Sequence, residues 1–329
     1  MAIYYFLPLK STYNAIRDTK NFITSRTRFT LGLFVKLYIH LKKQLMPLFK
    51  KSVLRISIII FAWVIFAQSC MKMRISDSKA QAEFKAANIP LQLHTITSKG
   101  FQLHYAQTGN DTLPTLFFVH GSPGSWDAFK TYLQDTDLLK KFRMVSIDRP
   151  GFGYSEFGNA KNLQQQSDII SPLLQQINNG RAVYIVGHSL GGPMAVKLVA
   201  DNPNTFAGMV LLAAALDPAQ EPKEPWRGFL LHSSLQIILP GAFKPSNEEL
   251  WYLKTDLIPL TNQFASITCP VWIIHGDKDS FVPVGNVTYA NKKLVYAKFV
   301  KTIILHNAPH FIPWAPWYKD VKKVLLDIK

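Results

Sequence analysis

Seven strand-length segments, most of them apolar, at residues 102–107, 115–120, 144–148, 182–187, 208–215, 271–275 and 301–305, constrain this chain more than any other feature of it. Several are rich in Val, Ile and Leu rather than being apolar–polar alternations, and a strand apolar on both sides is one covered on both sides. Helix-length segments lie between most of them, at about 126–140, 163–177, 192–201, 285–295 and 316–328. In the last, Trp317, Val321, Val324 and Leu325 share one face while lysines take the other. The spacing therefore predicts an α/β fold: a mostly parallel twisted sheet with helices on both faces. One interruption stands out. Residues 217–268, rich in Pro, Trp, Phe and Leu, separate the strand candidates at 208–215 and 271–275, and a connection that long usually is functional or carries its own helices.

At the end of one run, Gly187-His188-Ser189-Leu190-Gly191 fits G-x-S-x-G. Five residues with three fixed also describe an ordinary Gly-rich strand-to-helix turn. The context is more demanding, because an apolar strand leads in and Gly191, Gly192 and Ala195 open a helix able to pack closely on it, as a nucleophile elbow requires. His120-Gly121-Ser122-Pro123-Gly124 closes the strand candidate at 115–120. Asp148-Arg149-Pro150-Gly151-Phe152-Gly153-Tyr154-Ser155 closes the next.

In these motifs the chain resembles the α/β-hydrolase superfamily, over roughly residues 90–329. The resemblance implies the α/β-hydrolase fold with a small helical lid, here 217–268, inserted after the family's sixth strand. It implies a nucleophile at Ser189 and oxyanion-hole N–H groups from Ser122 and Leu190. Gly276-Asp277-Lys278-Asp279-Ser280-Phe281-Val282-Pro283 looks like the family's G-x-x-D-x-x-V-P, which places the triad acid at Asp279 and leaves Asp277 as a turn residue. Asp217, near the end of the sixth strand, is a minor alternative. His310, in Asn307-Ala308-Pro309-His310-Phe311, is the expected base; His120, His188, His275 and His306 are read as structural, and so is Asp148. Two departures bear on substrate class: Pro309 stands where Gly is commoner, and Ile312-Pro313-Trp314-Ala315-Pro316-Trp317 lacks the acid often found after the histidine.

A serine hydroxyl is a weak nucleophile at neutral pH and needs a base held in one tautomer by an acid. The expectation is thus a serine hydrolase that cleaves a carboxylic ester or related small acyl substrate through an acyl-enzyme. Proline-type aminopeptidase, carbon–carbon bond hydrolase and lipase chemistry on the same fold are alternatives, as is a tethered binding protein without turnover. Epoxide hydrolases and haloalkane dehalogenases of the superfamily use an aspartate nucleophile, against which Ser189 argues. Trp226, Phe229, Leu230, Leu231, Ile237, Ile238, Trp251 and Tyr252 are available to line an acyl pocket or to form the insertion's own core; Trp226, Trp251 and Tyr252 are the substrate-binding candidates. No cofactor or metal is expected: a triad needs neither, no G-x-G-x-x-G turn follows an early strand, and two cysteines, Cys70 and Cys269, make no ligand cluster.

The formal net charge is +16, of which the first 55 residues carry eleven Lys or Arg against one acid. That excess precedes an apolar run and no nucleic-acid-binding motif follows, so no nucleic-acid partner is expected. The run itself, residues 56–67, holds twelve residues without a charge, short for a membrane span and of signal-peptide length. Ala67 and Ser69 before Cys70 resemble a lipobox, which implies lipidation of Cys70; an uncleaved signal-anchor helix is the other reading. Either tethers the chain to a membrane, with the basic flank cytoplasmic and the remainder facing the periplasm of a bacterial envelope. Met46, followed by Pro47, Leu48, Phe49, Lys50 and Lys51, would begin an ordinary signal sequence, so synthesis is expected to start there. The organisation read from the sequence is 1–70 as basic segment and anchor, 71–89 as a linker or docking helix, 90–216 and 269–329 as core, and 217–268 as lid.

Overall fold

The strands are β1 (Gln92–Ser98), β2 (Phe101–Thr108), β3 (Thr115–Val119), β4 (Arg143–Ile147), β5 (Val183–His188), β6 (Gly208–Leu212), β7 (Val271–Gly276) and β8 (Val300–Leu305), in a computed structural model that describes residues 9–222 and 224–328. The side chains of residues 9–31, 35 and 70 lie outside that description. One sheet holds all eight strands in the order β1-β2-β4-β3-β5-β6-β7-β8. β1 and β2 pair antiparallel, as do β2 and β4, and every other pairing is parallel.

Alternate residues of the central strands enter two separate apolar clusters. Phe117, Val119, Ile185 and Leu211 pack on one face, while Leu116, Phe118, Val186 and Leu212 pack on the other. That two-sided burial is why these strands read as unbroken apolar runs. Each such side chain taken out of water contributes on the order of 1.5–3 kcal/mol. β1 escaped the sequence reading because it sits at the edge with its residues half-exposed. Its hairpin turn is Lys99-Gly100, both at positive φ as a two-residue turn between strands requires, without the Asn-Gly or Asp-Gly signal.

The helices are α1 (Leu9–Cys70), α2 (Asp77–Ala86), α3 (Lys130–Leu133), α4 (Thr136–Leu139), α5 (Leu163–Gln176), α6 (Gly191–Asp201), α7 (Pro225–Leu231), α8 (Phe243–Gln263), α9 (Gly285–Lys293) and α10 (Tyr318–Asp327). A capping box of Asn162 and Gln165 starts α5. The helix expected at 126–140 is instead a 3₁₀ turn followed by α3 and α4, because the Asp135 carboxylate caps a new N-terminus at the amides of Asp137 and Leu138. Residues 71–89 are not a free linker: Ser76 caps α2, and its Ala80 and Phe84 are fully buried. Between β6 and β7 the long interruption is helical, built from α7, a 3₁₀ turn at Ser234–Ile238, and α8.

The chain divides into two units, Met1–Trp63 and Val64–Lys329. Gly32–Ser69 is long and apolar enough to cross a membrane, by length and composition. The uncharged twelve-residue count understated this, since the apolar stretch continues across Arg55 to Val53 and Leu54. Within the second unit, the last turns of α1 are part of the fold. Ala67 is fully buried, and Gln68 Nε2 donates to the carbonyls of Ile237 (3.1 Å) and Leu239 (2.8 Å). The amide of Ala242 donates to the Met71 carbonyl at 2.8 Å.

Candidate active site

Ser189 sits between β5 and α6 at φ +55°, a left-handed conformation that costs a non-glycine residue energy and is held by its surroundings. Its amide donates to the Leu212 carbonyl at 2.9 Å, and its own carbonyl accepts from Gly192 N at 2.9 Å. The flanking glycines are needed for close approach. A Cβ at Gly191 would collide with the Val119 carbonyl, and one at Gly187 with the Gly191 carbonyl.

His310 follows β8, and its Nδ1 lies 2.7 Å from Asp279 Oδ2 in the turn after β7. Burial would raise the Asp279 pKa, but the hydrogen bonds from His310 and from the amides of Val282 (2.8 Å) and Phe281 (2.9 Å) outweigh it and hold the carboxyl below its usual range. An ionised carboxylate only accepts, so His310 Nδ1 carries a proton, and the tautomer that this favours in the neutral ring has its lone pair on Nε2. His275 Nε2 approaches the same Asp279 oxygen at 3.4 Å. Burial holds His188 neutral, with its pKa down to about 3, and its Nε2 donates to the His310 carbonyl at 3.1 Å. The residue before the serine thus fixes the backbone of the histidine.

Ser189 and His310 line one cavity of about 1020 Å³, together with Ser122, Leu190, Trp251 and Tyr252. Among the described residues, neither the Ser122 nor the Leu190 amide donates to a protein acceptor. The Gly121 carbonyl, in the same planar peptide as the Ser122 amide, accepts from Arg149 Nη2 (2.9 Å) and His120 Nδ1 (2.7 Å). A trans peptide points its N–H opposite to its C=O, so these two bonds set the direction of the Ser122 N–H. Arg149 is completed by Glu249 of α8, which takes both guanidinium arms at 2.7 and 2.8 Å. One turn earlier on that helix, Ser246 Oγ accepts from Ser122 Oγ at 2.8 Å.

The sequence matches the alpha/beta hydrolase fold family over residues 114–233. A bifunctional esterase/perhydrolase of Acinetobacter calcoaceticus is 26% identical over 267 residues, covering 67% of this chain and 93% of that protein. A pimeloyl-[acyl-carrier protein] methyl ester esterase of Nitrosomonas europaea is 25% identical, covering 60% and 89%. The chain has the α/β-hydrolase fold, and the proteins it is similar to in sequence are esterases and other hydrolases. That similarity supports a hydrolase. A solved membrane phospholipase A, a bacterial virulence factor, shares the fold, with a TM-score of 0.54 at 17% identity over 87% of this chain and 98% of that one.

The structure brings Ser189, His310, Ser122 and Leu190 to one α/β-hydrolase cavity and pairs His310 with Asp279. Asp217 is engaged elsewhere, accepting from the Ala219 amide and the Gln220 side chain, and Asp277 accepts from His306 and the Asn307 amide. Asp148 is fully buried and braces His104, Trp126 N and Tyr154 N. Trp226 is a correction: unlike Trp251 and Tyr252 it does not line the cavity, because it is half-exposed on α7 with the Arg227 guanidinium stacked on its ring at 4.4 Å. Phe229 and Ile237 also lie outside it, and Phe243 and Leu250 of α8 stand in the wall instead. Sequence reasoning missed a charged wall of Glu221, Glu224, Arg227 and Lys254, where burial and the neighbouring Glu224 push the Glu221 carboxyl up to about 7. It also missed the Arg149–Glu249 pair. Its one local signal was an arginine inside the turn motif, with no mark of its partner a hundred residues on.

Proposed function

We propose that the protein is a serine hydrolase that cleaves a carboxylic ester, or a related acyl substrate, through an acyl-enzyme. The observation that carries this reading is the His310–Asp279 bond at 2.7 Å in a histidine that lines the same cavity as the strained Ser189. Ser189 Oγ attacks the acyl carbonyl as His310 Nε2 accepts its proton. Asp279 holds the imidazole in the productive tautomer and stabilises the imidazolium. The oxyanion is held by the N–H groups of Ser122 and Leu190, and His310 returns its proton to the leaving oxygen. Water, activated by the same imidazole, then releases the acid and frees Ser189. The esterases among the relatives support an ester rather than an amide substrate. Labelling by a fluorophosphonate probe is expected to vanish in Ser189→Ala together with ester hydrolysis; labelling or turnover that survives the substitution would overturn the assignment.

The N-terminal segment is read as an uncleaved membrane anchor, with the hydrolase unit on the non-cytoplasmic side. Cleavage before a lipidated Cys70 would remove the buried Ala67 and the Gln68 bonds to Ile237 and Leu239, which favours retention of the helix over the lipoprotein alternative. Mass spectrometry of the membrane-extracted protein tests this: recovery of peptides that span residues 64–74 is expected, and a diacylglyceryl-Cys70 N-terminus would refute it.

A further inference from the structure

Three apolar side chains of the helical insertion, Phe229, Leu235 and Ile237, stand 65%, 42% and 57% exposed. They belong to α7 and the 3₁₀ turn after it, and they do not line the cavity. Left to water, such a ridge is unfavourable, and an exposed cluster of large apolar residues marks a contact surface. What lies against it is indicated by the chain itself. Gln68, one residue past the apolar run 56–67, is bonded to the backbone carbonyl of Ile237 within the ridge. The ridge is therefore fixed at the end of the segment that is apolar enough to cross a membrane.

The cavity has exposed lining in two places. Phe281 and Phe311, beside His310, are 66% and 50% exposed, and Met73 and Phe243, beside the end of α1, are 43% and 37% exposed. Met73 is three residues beyond the end of α1. Phe243 follows Ala242, whose amide is bonded to the Met71 carbonyl. The wall between cavity and ridge is one helix thick: in α7, Arg227 faces the cavity, and Phe229, two residues on and about 200° around the helix, belongs to the ridge.

We propose that this ridge docks on the lipid bilayer and that the cavity takes its substrate from the membrane, an amphiphilic ester whose acyl chain enters past Met73 and Phe243. The inference rests on the serine-hydrolase reading and adds the substrate class. The apolar tail is accommodated by Trp251, Tyr252 and Leu250, and the polar part meets the wall of Glu224, Arg227 and Lys254. The bilayer contact keeps the exposed lining at Met73 and Phe243 against the lipid surface, so the substrate passes from hydrocarbon to cavity without crossing bulk water.

The test uses the full-length chain reconstituted in phosphatidylglycerol vesicles, with two esters of one fluorophore: 4-methylumbelliferyl palmitate incorporated in the bilayer and 4-methylumbelliferyl acetate in solution. The double variant Phe229→Glu, Ile237→Glu places charges at exposed positions outside the cavity. It is expected to keep the acetate rate, which also shows that it folds, and to lose at least about tenfold on the bilayer-held palmitate, the scale expected when two large apolar side chains leave the interface. Equal loss on both esters, or no loss on either, overturns the proposal alone. An unaltered chain inactive on both esters overturns the hydrolase reading and the proposal with it. If the variant instead abolishes self-association in detergent while the palmitate rate holds, the ridge joins two copies of the chain and the bilayer proposal falls.

Discussion

Glu249→Ala would expose how the helical insertion is joined to the catalytic sheet. Its carboxylate meets Arg149 through two charge-assisted bonds of 2.7 and 2.8 Å, with the two side chains 3% and 0% exposed. Removal of the carboxylate leaves a buried guanidinium, and an arginine cannot relieve that cost by losing its proton. Loss of one partner of a buried pair costs about 3–5 kcal/mol. The lower end is expected here, because Arg149 keeps the carbonyls of His120 and Gly121 and the Gln166 side chain as acceptors. At about 2–4 °C per kcal/mol for a unit of this size, a loss of about 3 kcal/mol lowers the melting temperature by roughly 6–12 °C. The pair also sets the peptide that aims the Ser122 amide, and a lost oxyanion donor costs about 10²–10³ in turnover, so kcat should fall by up to that factor with KM little changed. Thermal unfolding of the detergent-solubilised chain by tryptophan fluorescence, with kcat and KM measured on 4-nitrophenyl acetate, reads both effects. The double variant Arg149→Met, Glu249→Met removes both charges and should recover much of the stability, as apolar replacements of buried pairs often do, without recovering kcat. A loss below about 1 kcal/mol, the scale of an exposed pair, with kcat unchanged, refutes the reasoning.

Asp279→Asn is expected to lower kcat by about 10⁴, since an amide in that place no longer enforces the Nδ1-protonated tautomer of His310; a loss under tenfold in steady-state ester hydrolysis would count against the assignment. Stability should fall on mild acidification. His188 has a folded pKa near 3, below its unfolded value near 6.5, so its contribution is complete above pH 6.5 and shrinks as the unfolded chain takes up the proton, by about 2 kcal/mol down to pH 5. Burial lowers His120 and His275 in the same direction. Asp279, held below its usual range, adds its own loss only below about pH 4, where its unfolded counterpart titrates. A urea midpoint that stays level from pH 7 to pH 5 contradicts the histidine argument.

Features whose meaning is local were legible in the residues. The unbroken apolar runs announced strands covered on both faces, and Gly187 and Gly191 announced a turn too tight for a Cβ, because backbone sterics act over a few residues. Trp226 was misplaced for the opposite reason. Composition shows that an insertion is apolar but not which way a short helix is turned, and α7 turns that ring away from the cavity.

The sequence by itself determined the α/β class and the tight strand-to-helix turn at Ser189, since each is written in contiguous residues. Only the tertiary structure decided that Glu249 answers Arg149, that His188 holds the backbone of His310, that β1 closes an edge of the sheet, and that Gln68 fastens the end of α1 to the insertion. Those contacts join residues far apart along the chain. Their strength comes from the exclusion of water around paired polar groups, a property of the packed interior that no short stretch of residues carries.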